Sequence, residues 1–287
     1  MMTDGDVAAH ERAEDFNGSP DGSLDGNLAG HAAILELLRA HDDGVSRSPI
    51  ARVFGRSPLT PETHAMYRGV VGELEVGEAL GRLGPEWKVL HSVPVDPSSV
   101  DVDHLVVGPA GVFIVSTKNH AGLTIWASKR TFMVGGVGYP HIRTIECEMG
   151  RAERSLASAA GGHIDVGGIL AIVAPKSLVV REKHRDVAVL ASSNVAAWLL
   201  RQRRALTPAE VVRITAAASL ASTWVSSGAE PVQPSLVREQ FELLRATVRA
   251  AWRTQLSWAI AASALGVGAF AVITYTILLN AVSSFGR

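Results

Sequence analysis

Acidic and basic side chains interrupt two neighbouring apolar runs, and their types and spacing could do chemistry. Asp101 and Asp103 lie two residues apart in the first run, so both are predicted to point to one face of a strand. Lys118 ends the second run, and Ser116 lies two residues before it on the same face. Because an unpaired buried charge is costly, these polar groups need a compensating interaction.

Phosphodiester hydrolysis would supply that interaction. Asp103, together with Asp101 or another carboxylate, can hold Mg²⁺, a hard cation that prefers oxygen ligands. Lys118 can position the attacking water or offset charge on the phosphate, and the metal would stabilise the oxygens of the displacement. The alternative is an Asp–Lys pair that only ties two strands together, and the spacing alone favours neither interpretation.

The two runs predict a β-hairpin. Residues 100–107 and 112–117 are rich in β-branched side chains, and the sequence Gly-Pro-Ala-Gly between them is typical of a turn. The second run is apolar on both faces, so we expect it at the centre of its sheet. A strand over 87–95 precedes the hairpin, and Pro94 suggests the end of that strand or an edge.

A helix that begins at Pro61 carries a further carboxylate. Thr60 is a good N-cap, and proline suits the first helical position. The apolar stripe of this helix is formed at helical spacing by Met66, Val70, Leu74 and Gly77. Glu73 lies at the edge of that stripe, either as a site residue or as a boundary residue bonded to the backbone.

Several of these motifs together resemble a known family. Gly72-Glu73 on the helix, Val-Asp-His-Leu-Val-Val-Gly-Pro at 102–109 and Thr-Lys-Asn at 117–119 resemble the nuclease-related domain (NERD) family, which is similar to the PD-(D/E)XK nucleases. The resemblance is specific over 73–118 and looser as far as residue 224. It implies an α/β fold of the restriction-endonuclease-like class, with a central mixed sheet flanked by helices.

The resemblance also implies roles for individual residues. Glu73 would be the helix glutamate, Asp103 the metal-binding aspartate and Lys118 the motif lysine. The position two residues before the lysine is usually acidic in this family, whereas this sequence has Ser116, a poor metal ligand. Either Asp101 or Glu73 supplies the missing carboxylate, or the site no longer cuts.

The candidate site can therefore be stated in full. Its expected cofactor is Mg²⁺, for which Mn²⁺ can substitute, and no small-molecule cofactor is expected. The candidate catalytic residues are Lys118, Glu73 and Asp103, the candidate metal ligands are Asp103, Asp101 and Glu73, and further candidates are Ser116 and Asn119.

Composition excludes several other function classes. The 287 residues include 27 basic and 28 acidic side chains, so the net charge of −1 gives no overall nucleic-acid-binding signature. Cys147 is the only cysteine, which rules out an intramolecular disulfide and a cysteine zinc cluster and fits a reducing compartment. The sequence contains no phosphate-binding glycine loop, zincin helix or nucleophile elbow.

Beyond the hairpin, the pattern predicts further strands and helices. A second hairpin is expected over 123–127 and 131–134, strands over 168–174 and 187–190, and helices over 193–203 and 207–224. A helix over 143–160 carries charged side chains that are interpreted mainly as a solvated face: Glu146, Glu148, Arg151, Glu153 and Arg154.

A membrane span is predicted near the C-terminus. Residues 258–282 are almost wholly apolar, and about 20 helical residues suffice to cross a bilayer of roughly 30 Å hydrocarbon thickness. A buried core helix is the alternative. Arginines crowd the N-terminal flank of the span, so we expect a single-pass protein of the plasma membrane with its large N-terminal domain in the cytoplasm.

The predicted domain organisation follows from these segments. The N-terminal region is acidic and lacks a signal peptide, so it is expected to be disordered or a linker. The predicted parts are the disordered or linker region 1–56, the NERD-like domain 57–227, the linker and basic juxtamembrane helix 228–255, the transmembrane helix 256–283 and the tail 284–287.

Three functions are compatible with the sequence. The first is a membrane-tethered, Mg²⁺-dependent nuclease acting on DNA or RNA at the cytoplasmic face. The second is a non-catalytic binding or scaffold module that keeps the nuclease fold and uses its pocket for nucleic acid or another anionic ligand. The third treats the polar residues as structural and the C-terminal segment as a protein-interaction helix.

Overall fold

The computed structural model describes residues 23–42, 47–95, 101–224 and 233–285, with side chains described as far as Ile277. The described residues belong to two compact units. One unit contains the residues up to 37 and 65–238, and the other contains 38–64 and the residues from 239 onward.

The secondary structure alternates strands and helices. The helices are α1 (His31–Asp42), α2 (Pro49–Val53), α3 (Pro61–Leu80), α4 (His141–Ala160), α5 (Val195–Leu200), α6 (Pro208–Ser219) and α7 (Pro234–Phe285). The strands are β1 (Lys88–Val93), β2 (Val102–Gly108), β3 (Gly111–Asn119), β4 (Thr124–Ala127), β5 (Phe132–Val134), β6 (Val137–Tyr139), β7 (Val166–Val173), β8 (Ser177–Val180) and β9 (Val187–Ala191).

The strands form two mixed sheets. The central sheet has the order β1-β2-β3-β7-β9, in which β1, β2 and β3 are antiparallel neighbours and β3, β7 and β9 are parallel ones. The second sheet has the order β6-β5-β4-β8. The predicted α/β class with a mixed central sheet is confirmed, as are the β2–β3 hairpin, the central place of β3 and the edge position of β1.

Two helices cover opposite faces of the central sheet. Val112 and Ile114 of β3 pack in one apolar cluster with Ile145 of α4. Val115 packs in a second cluster with Val76 of α3. Because side chains alternate along a strand, Ser116 and Lys118 belong to the α4 face of β3, whereas Thr117 and Asn119 belong to the α3 face.

Glycines allow both helices to approach the sheet closely. A Cβ on Gly72 of α3 would lie 3.1 Å from Cγ2 of Val173 and 3.4 Å from Cγ2 of Thr117. A Cβ on Gly168 of β7 would lie 2.7 Å from Sδ of Met149 on α4. Larger residues at these two glycines would push the helices away from the strands.

Residues 23–30 contact the central sheet. Leu24 is buried in the core, and Nζ of Lys88 lies 2.9 Å from Oδ1 of Asp25. Nδ2 of Asn27 donates to the carbonyl oxygens of His91 and Ser92, both at 3.3 Å. These contacts attach residues 23–30 to β1, and α1 and α2 follow within the region predicted as disordered or a linker. Residues 1–22 lie outside the described residues.

Other differences concern short elements. Strands β6 and β8 were not predicted, since each is only three or four mostly exposed residues long. The helix predicted over 193–203 is shorter, and the one predicted over 207–224 ends at Ser219 after the expected capping box of Thr207 and Glu210. The predicted boundary between the domain 57–227 and the linker 228–255 lies outside the described residues.

Helix α7 is long and apolar enough to cross a membrane. The segment 234–277 contains a window of mean hydropathy 2.0, none of which is buried, so α7 is a candidate span by length and composition. Within the same unit, Nε1 of Trp258 donates to the carbonyl oxygen of Val53 at 2.9 Å, and the ring of Phe54 packs on that tryptophan.

Replacing Gly108 by alanine is expected to destabilise the sheet. A Cβ at this position would lie 2.2 Å from the indole ring of Trp87, so the strand and the ring would have to separate. Overpacking of this kind costs roughly 1–3 kcal/mol. Thermal unfolding of the full-length protein in detergent should show a lower melting temperature. Gly84→Ala is the control, because a Cβ there meets no atom within 4 Å; equal melting of the two variants would contradict the prediction.

Candidate functional site

Asp103 lies at the start of β2, on the α4 face of the sheet. The β2–β3 register pairs Leu105 with Ile114 and His104 with Val115, so its continuation sets Asp103 opposite Ser116. Oδ2 of Asp103 accepts a hydrogen bond from the backbone N–H of Thr117. Burial raises the pKa of Asp103, while the charge of Lys118 and the bonding to Thr117 act in the opposite direction.

Lys118 is the cation that the nearby carboxyl groups share. It lies two residues after Ser116 on the same face of β3. Its positive charge lowers the pKa values of Glu73, Asp103 and Glu148 against the stronger effect of burial. Lys118 is therefore within electrostatic range of carboxyl groups from α3, β2 and α4.

Glu73 reaches this cluster from the opposite face of the sheet. It follows Gly72, where a Cβ would lie 3.4 Å from Cγ2 of Thr117. Burial, and next the negative charge of Asp103, raises the pKa of Glu73 to about 9, with Lys118 acting against the shift. Its carboxyl group therefore keeps its proton at neutral pH in the metal-free protein. The structure brings together the predicted Glu73, Asp103 and Lys118.

Glu148 belongs to the same cluster, which corrects its interpretation as part of a solvated face. Its Oε2 is buried and has no hydrogen-bond partner among the described residues. Burial raises its pKa to about 7, Lys118 opposes the shift, and Asp103 adds to it. A signal was present in the sequence: Glu148 lies three residues after Ile145 and directly before Met149, both on the buried stripe of α4.

The three other predicted site residues have different surroundings from those of the charged cluster. Asp101 precedes β2, and burial alone raises its pKa, with no contribution from the charged cluster. Ser116 is buried on the α4 face. Nδ2 of Asn119 donates to the carbonyl oxygen of Arg68 at 2.7 Å, and its Oδ1 accepts from the N–H of Ala121 at 3.2 Å. Asn119 therefore ties β3 to α3.

Two histidines beside Lys118 were missed at the sequence level. Nε2 of His120 lies 3.2 Å from Nε2 of His141, and the ring of Tyr139 stacks on His141. Burial and the charge of Lys118 lower the pKa values of both histidines, that of His141 to about 4. Both imidazoles are therefore neutral at physiological pH. His120 follows Lys118 by two residues, which is the signal that could have identified it.

The donor set fits a divalent cation that retains water ligands. In the ranges 23–42, 47–95, 101–224 and 233–285, no group of three or more His, Cys, Asp or Glu side chains is close enough together to hold a metal ion. Mg²⁺ usually keeps several waters and takes one or two carboxylates. Asp103 with one glutamate suffices for that coordination, and the unpartnered oxygen of Glu148 is a donor of the required type.

Comparison with known proteins finds a family match over the segment that contains this whole cluster. A sequence profile of the family described as "Nuclease-related domain" (NERD) matches residues 68–172. An uncharacterized protein of Bacillus anthracis is 32% identical over 97 residues, which cover 28% of this chain and 46% of that protein. The chain thus spans about half the length of this curated relative. No solved structure matches.

The raised carboxyl pKa values predict a pH-dependent stability. Glu148 titrates near 7 in the folded state and near 4.5 when unfolded, so its stabilising contribution is complete below about pH 4.5 and is lost as the pH rises through 7. In metal-free buffer, the unfolding free energy should fall as the pH rises from 5.5 to 8.5, and it should fall less in Glu148→Gln than in the unmodified protein. The expected difference is roughly 1–2 kcal/mol, because one pKa unit corresponds to about 1.4 kcal/mol.

Denaturant unfolding at the two pH values measures this difference. Glu78→Gln on α3 is the control, since the Glu78 side chain is 76% exposed and its ion-pair partner is Arg82, which stays charged over this pH range. The control should keep the pH dependence of the unmodified protein. Equal pH dependence in the Glu148 variant would show that this carboxyl group is not shifted.

Proposed function

We propose that residues 68–172, which match the nuclease-related domain profile, hydrolyse phosphodiester bonds of DNA or RNA with Mg²⁺, or Mn²⁺ in its place. The observation that carries the proposal is the cluster of Asp103, Glu73 and Lys118 at one end of the central sheet. Buried carboxyl groups with raised pKa values are costly to the fold, and such groups concentrate at functional sites.

Each residue has a defined role in this proposal. Asp103, oriented by the N–H of Thr117, would hold the metal together with one glutamate carboxylate, for which the sequence predicts Glu73. The bound metal would stabilise negative charge on the scissile phosphate and favour ionisation of a water ligand. Lys118 donates hydrogen bonds to a phosphate oxygen or to the attacking water. Glu73 gives up its proton before it can act as a ligand.

The neutral histidine pair offers a further contact to the substrate. Nε2 of one neutral imidazole donates to Nε2 of the other, which leaves one ring N–H of the pair for a substrate, and both rings lie near Lys118. Tyr139, whose side chain is 41% exposed, stacks on His141. An unpaired base could stack on this aromatic group while its phosphate meets Lys118.

A second function is favoured by Ser116. A buried serine opposite Asp103 lacks the carboxylate expected at this position. In this alternative, the domain binds nucleic acid or another anionic ligand without cutting it. The two functions differ in their response to Ser116→Glu, because only a protein that has lost its chemistry at this position would gain cleavage from that substitution.

We also propose that α7 anchors the protein in the plasma membrane with the nuclease-related domain in the cytoplasm. The N-terminal half of α7 carries four arginines, and the next charged residue after Arg253 is Arg287. Positive charge on this flank favours retention on the cytoplasmic side and attraction to anionic lipid headgroups. Trp252 and Trp258 are suited to the interface region, where tryptophan is enriched.

Full-length protein in detergent should cleave nucleic acid only with Mg²⁺ or Mn²⁺. Single-stranded DNA, double-stranded DNA and RNA would be tested, with EDTA as the metal-free condition. Lys118→Ala should lower the cleavage rate about 10²-fold or more, since it removes a charge directed at the phosphate. Lys129→Ala is the control, because this lysine is 68% exposed in a loop and pairs with Glu182.

Equal cleavage by the unmodified protein and by Lys118→Ala would refute the proposed role of the lysine. Substrate binding without cleavage, together with cleavage by Ser116→Glu, would instead establish the binding module. Absence of both binding and cleavage would exclude both functions for the substrates tested.

The orientation can be tested with the single cysteine. Cys147 is exposed in the nuclease-related domain, so a membrane-impermeant maleimide should label it only after the cells are permeabilised. Arg287→Cys in a Cys147→Ser background should be labelled in intact spheroplasts. Labelling of Cys147 in intact spheroplasts would show the opposite orientation, and recovery of the protein in the soluble fraction would exclude the anchor.

A further inference from the structure

We propose that Glu148 supplies the metal-binding carboxylate that the serine at position 116 lacks. The inference rests on the proposed metal-dependent site and assigns to it a ligand from α4. It differs from the sequence expectation, in which Asp101 or Glu73 was to replace the missing carboxylate.

The register of the central sheet defines the place that a carboxylate at position 116 would occupy. Residue pairs of β2 and β3 continue from His104–Val115 to Asp103–Ser116, so these two side chains are neighbours on one face. That face also carries Leu105 and Ile114, which pack in the same apolar cluster as Ile145 of α4. Position 116 and the facing residues of α4 are therefore two places from which a carboxylate can project beside Asp103 on this face.

Helix α4 runs antiparallel to β3, and its contacts fix the level of Glu148. Oε1 of Glu153 accepts from the N–H of Val166, which pairs with Val112 at the start of β3. Met149 meets Gly168, which pairs with Ile114.

At the other end of α4, His141 contacts His120, just beyond the end of β3. Glu148 lies between these contacts, one residue from Met149 in the direction of His141. The backbone of Glu148 is therefore close to the level of Ile114, and because helical side chains lean toward the N-terminus of their helix, its side chain is directed toward Ser116.

One oxygen of the Glu148 carboxyl group has no hydrogen bond that would explain its burial. Its Oε2 is buried without a hydrogen bond from any described residue, although a buried polar atom normally has one. Lys118, Asp103 and Arg151 all influence its charge, so the group faces the cluster. A cation held between Asp103 and Glu148 would satisfy this oxygen and offset the repulsion between the two carboxylates.

Glu73 does not occupy the same place. Helix α3 covers the face that carries Thr117 and Asn119, and a Cβ on Gly72 would touch both of these residues. Glu73 therefore approaches Asp103 from the side opposite to Ser116. The two glutamates are not interchangeable, and only Glu148 shares a face with the substituted position.

Mn²⁺ binding to the full-length protein in detergent tests the assignment without relying on cleavage. Electron paramagnetic resonance of free Mn²⁺ gives the dissociation constant at pH 7.5. Glu148→Gln should weaken binding about 10-fold or more, a loss typical of groups that hold or orient a metal. Glu146→Gln, on the same helix and 45% exposed, should bind as the unmodified protein does. Thermal unfolding verifies that each variant is folded.

The double variant Ser116→Glu with Glu148→Gln is the decisive comparison. If the two positions serve one ligand site, a carboxylate at 116 should recover most of the lost affinity. Unchanged Mn²⁺ affinity in folded Glu148→Gln would overturn the inference, as would failure of the double variant to bind better than the single one. Absence of Mn²⁺ binding to the unmodified protein would overturn it as well.

These outcomes separate this inference from the proposed function. Mn²⁺ binding that depends on Glu148, without any nucleic-acid cleavage, would retain the ligand and reject the nuclease. Metal-dependent cleavage that Glu148→Gln leaves intact would retain the nuclease and reject the ligand.

Discussion

The electrostatic constraint at the end of the central sheet is that three carboxyl groups share one lysine. Lys118 lowers the pKa values of Glu73, Asp103 and Glu148, yet burial has the larger effect on each of them. The free-energy cost of burying the carboxylates exceeds their attraction to one nearby ammonium group. The carboxyl groups of the metal-free site therefore keep protons. Additional positive charge would stabilise the ionised carboxylates, and a divalent cation together with the lysine could supply it.

The same constraint explains why the helices must approach the strands closely. Gly72 and Gly168 remove the side chains that would separate α3 and α4 from the sheet, and each contact is adjacent to one of the two glutamates. Close packing excludes water and thereby raises the carboxyl pKa values. The two glycine contacts and the perturbed acids are consequently parts of one arrangement, in which packing density sets the protonation of the site.

Much of the fold could be predicted from the sequence because its strongest signals are local. Alternation along β2 and β3 identified Asp103 and Lys118, and the stripe of α3 placed Glu73 at the boundary of the core. Glu148 was misinterpreted because its neighbours Glu146 and Glu153 are charged, which made the helix look solvated at that point. Its burial depends on the level at which α4 crosses β3, a tertiary property without a local signal. The attachment of residues 23–30 to β1 has no local signal either. Their partners are distant in the sequence, by more than 60 residues in the case of Asn27 and His91.

A carboxylate on helix α4 is held in place by different contacts from those that would hold one on strand β3. A residue at position 116 would be held by the hydrogen bonds of β3, which is paired on both sides within the central sheet. Glu148 is instead held by the packing of Met149 against Gly168 and of Ile145 in the apolar cluster. Its distance from Asp103 therefore depends on how α4 is seated on the sheet. Because buried side chains are close-packed, a volume change at Gly168 would move Glu148 without touching any charged group, so the affinity for a cation is coupled to core packing.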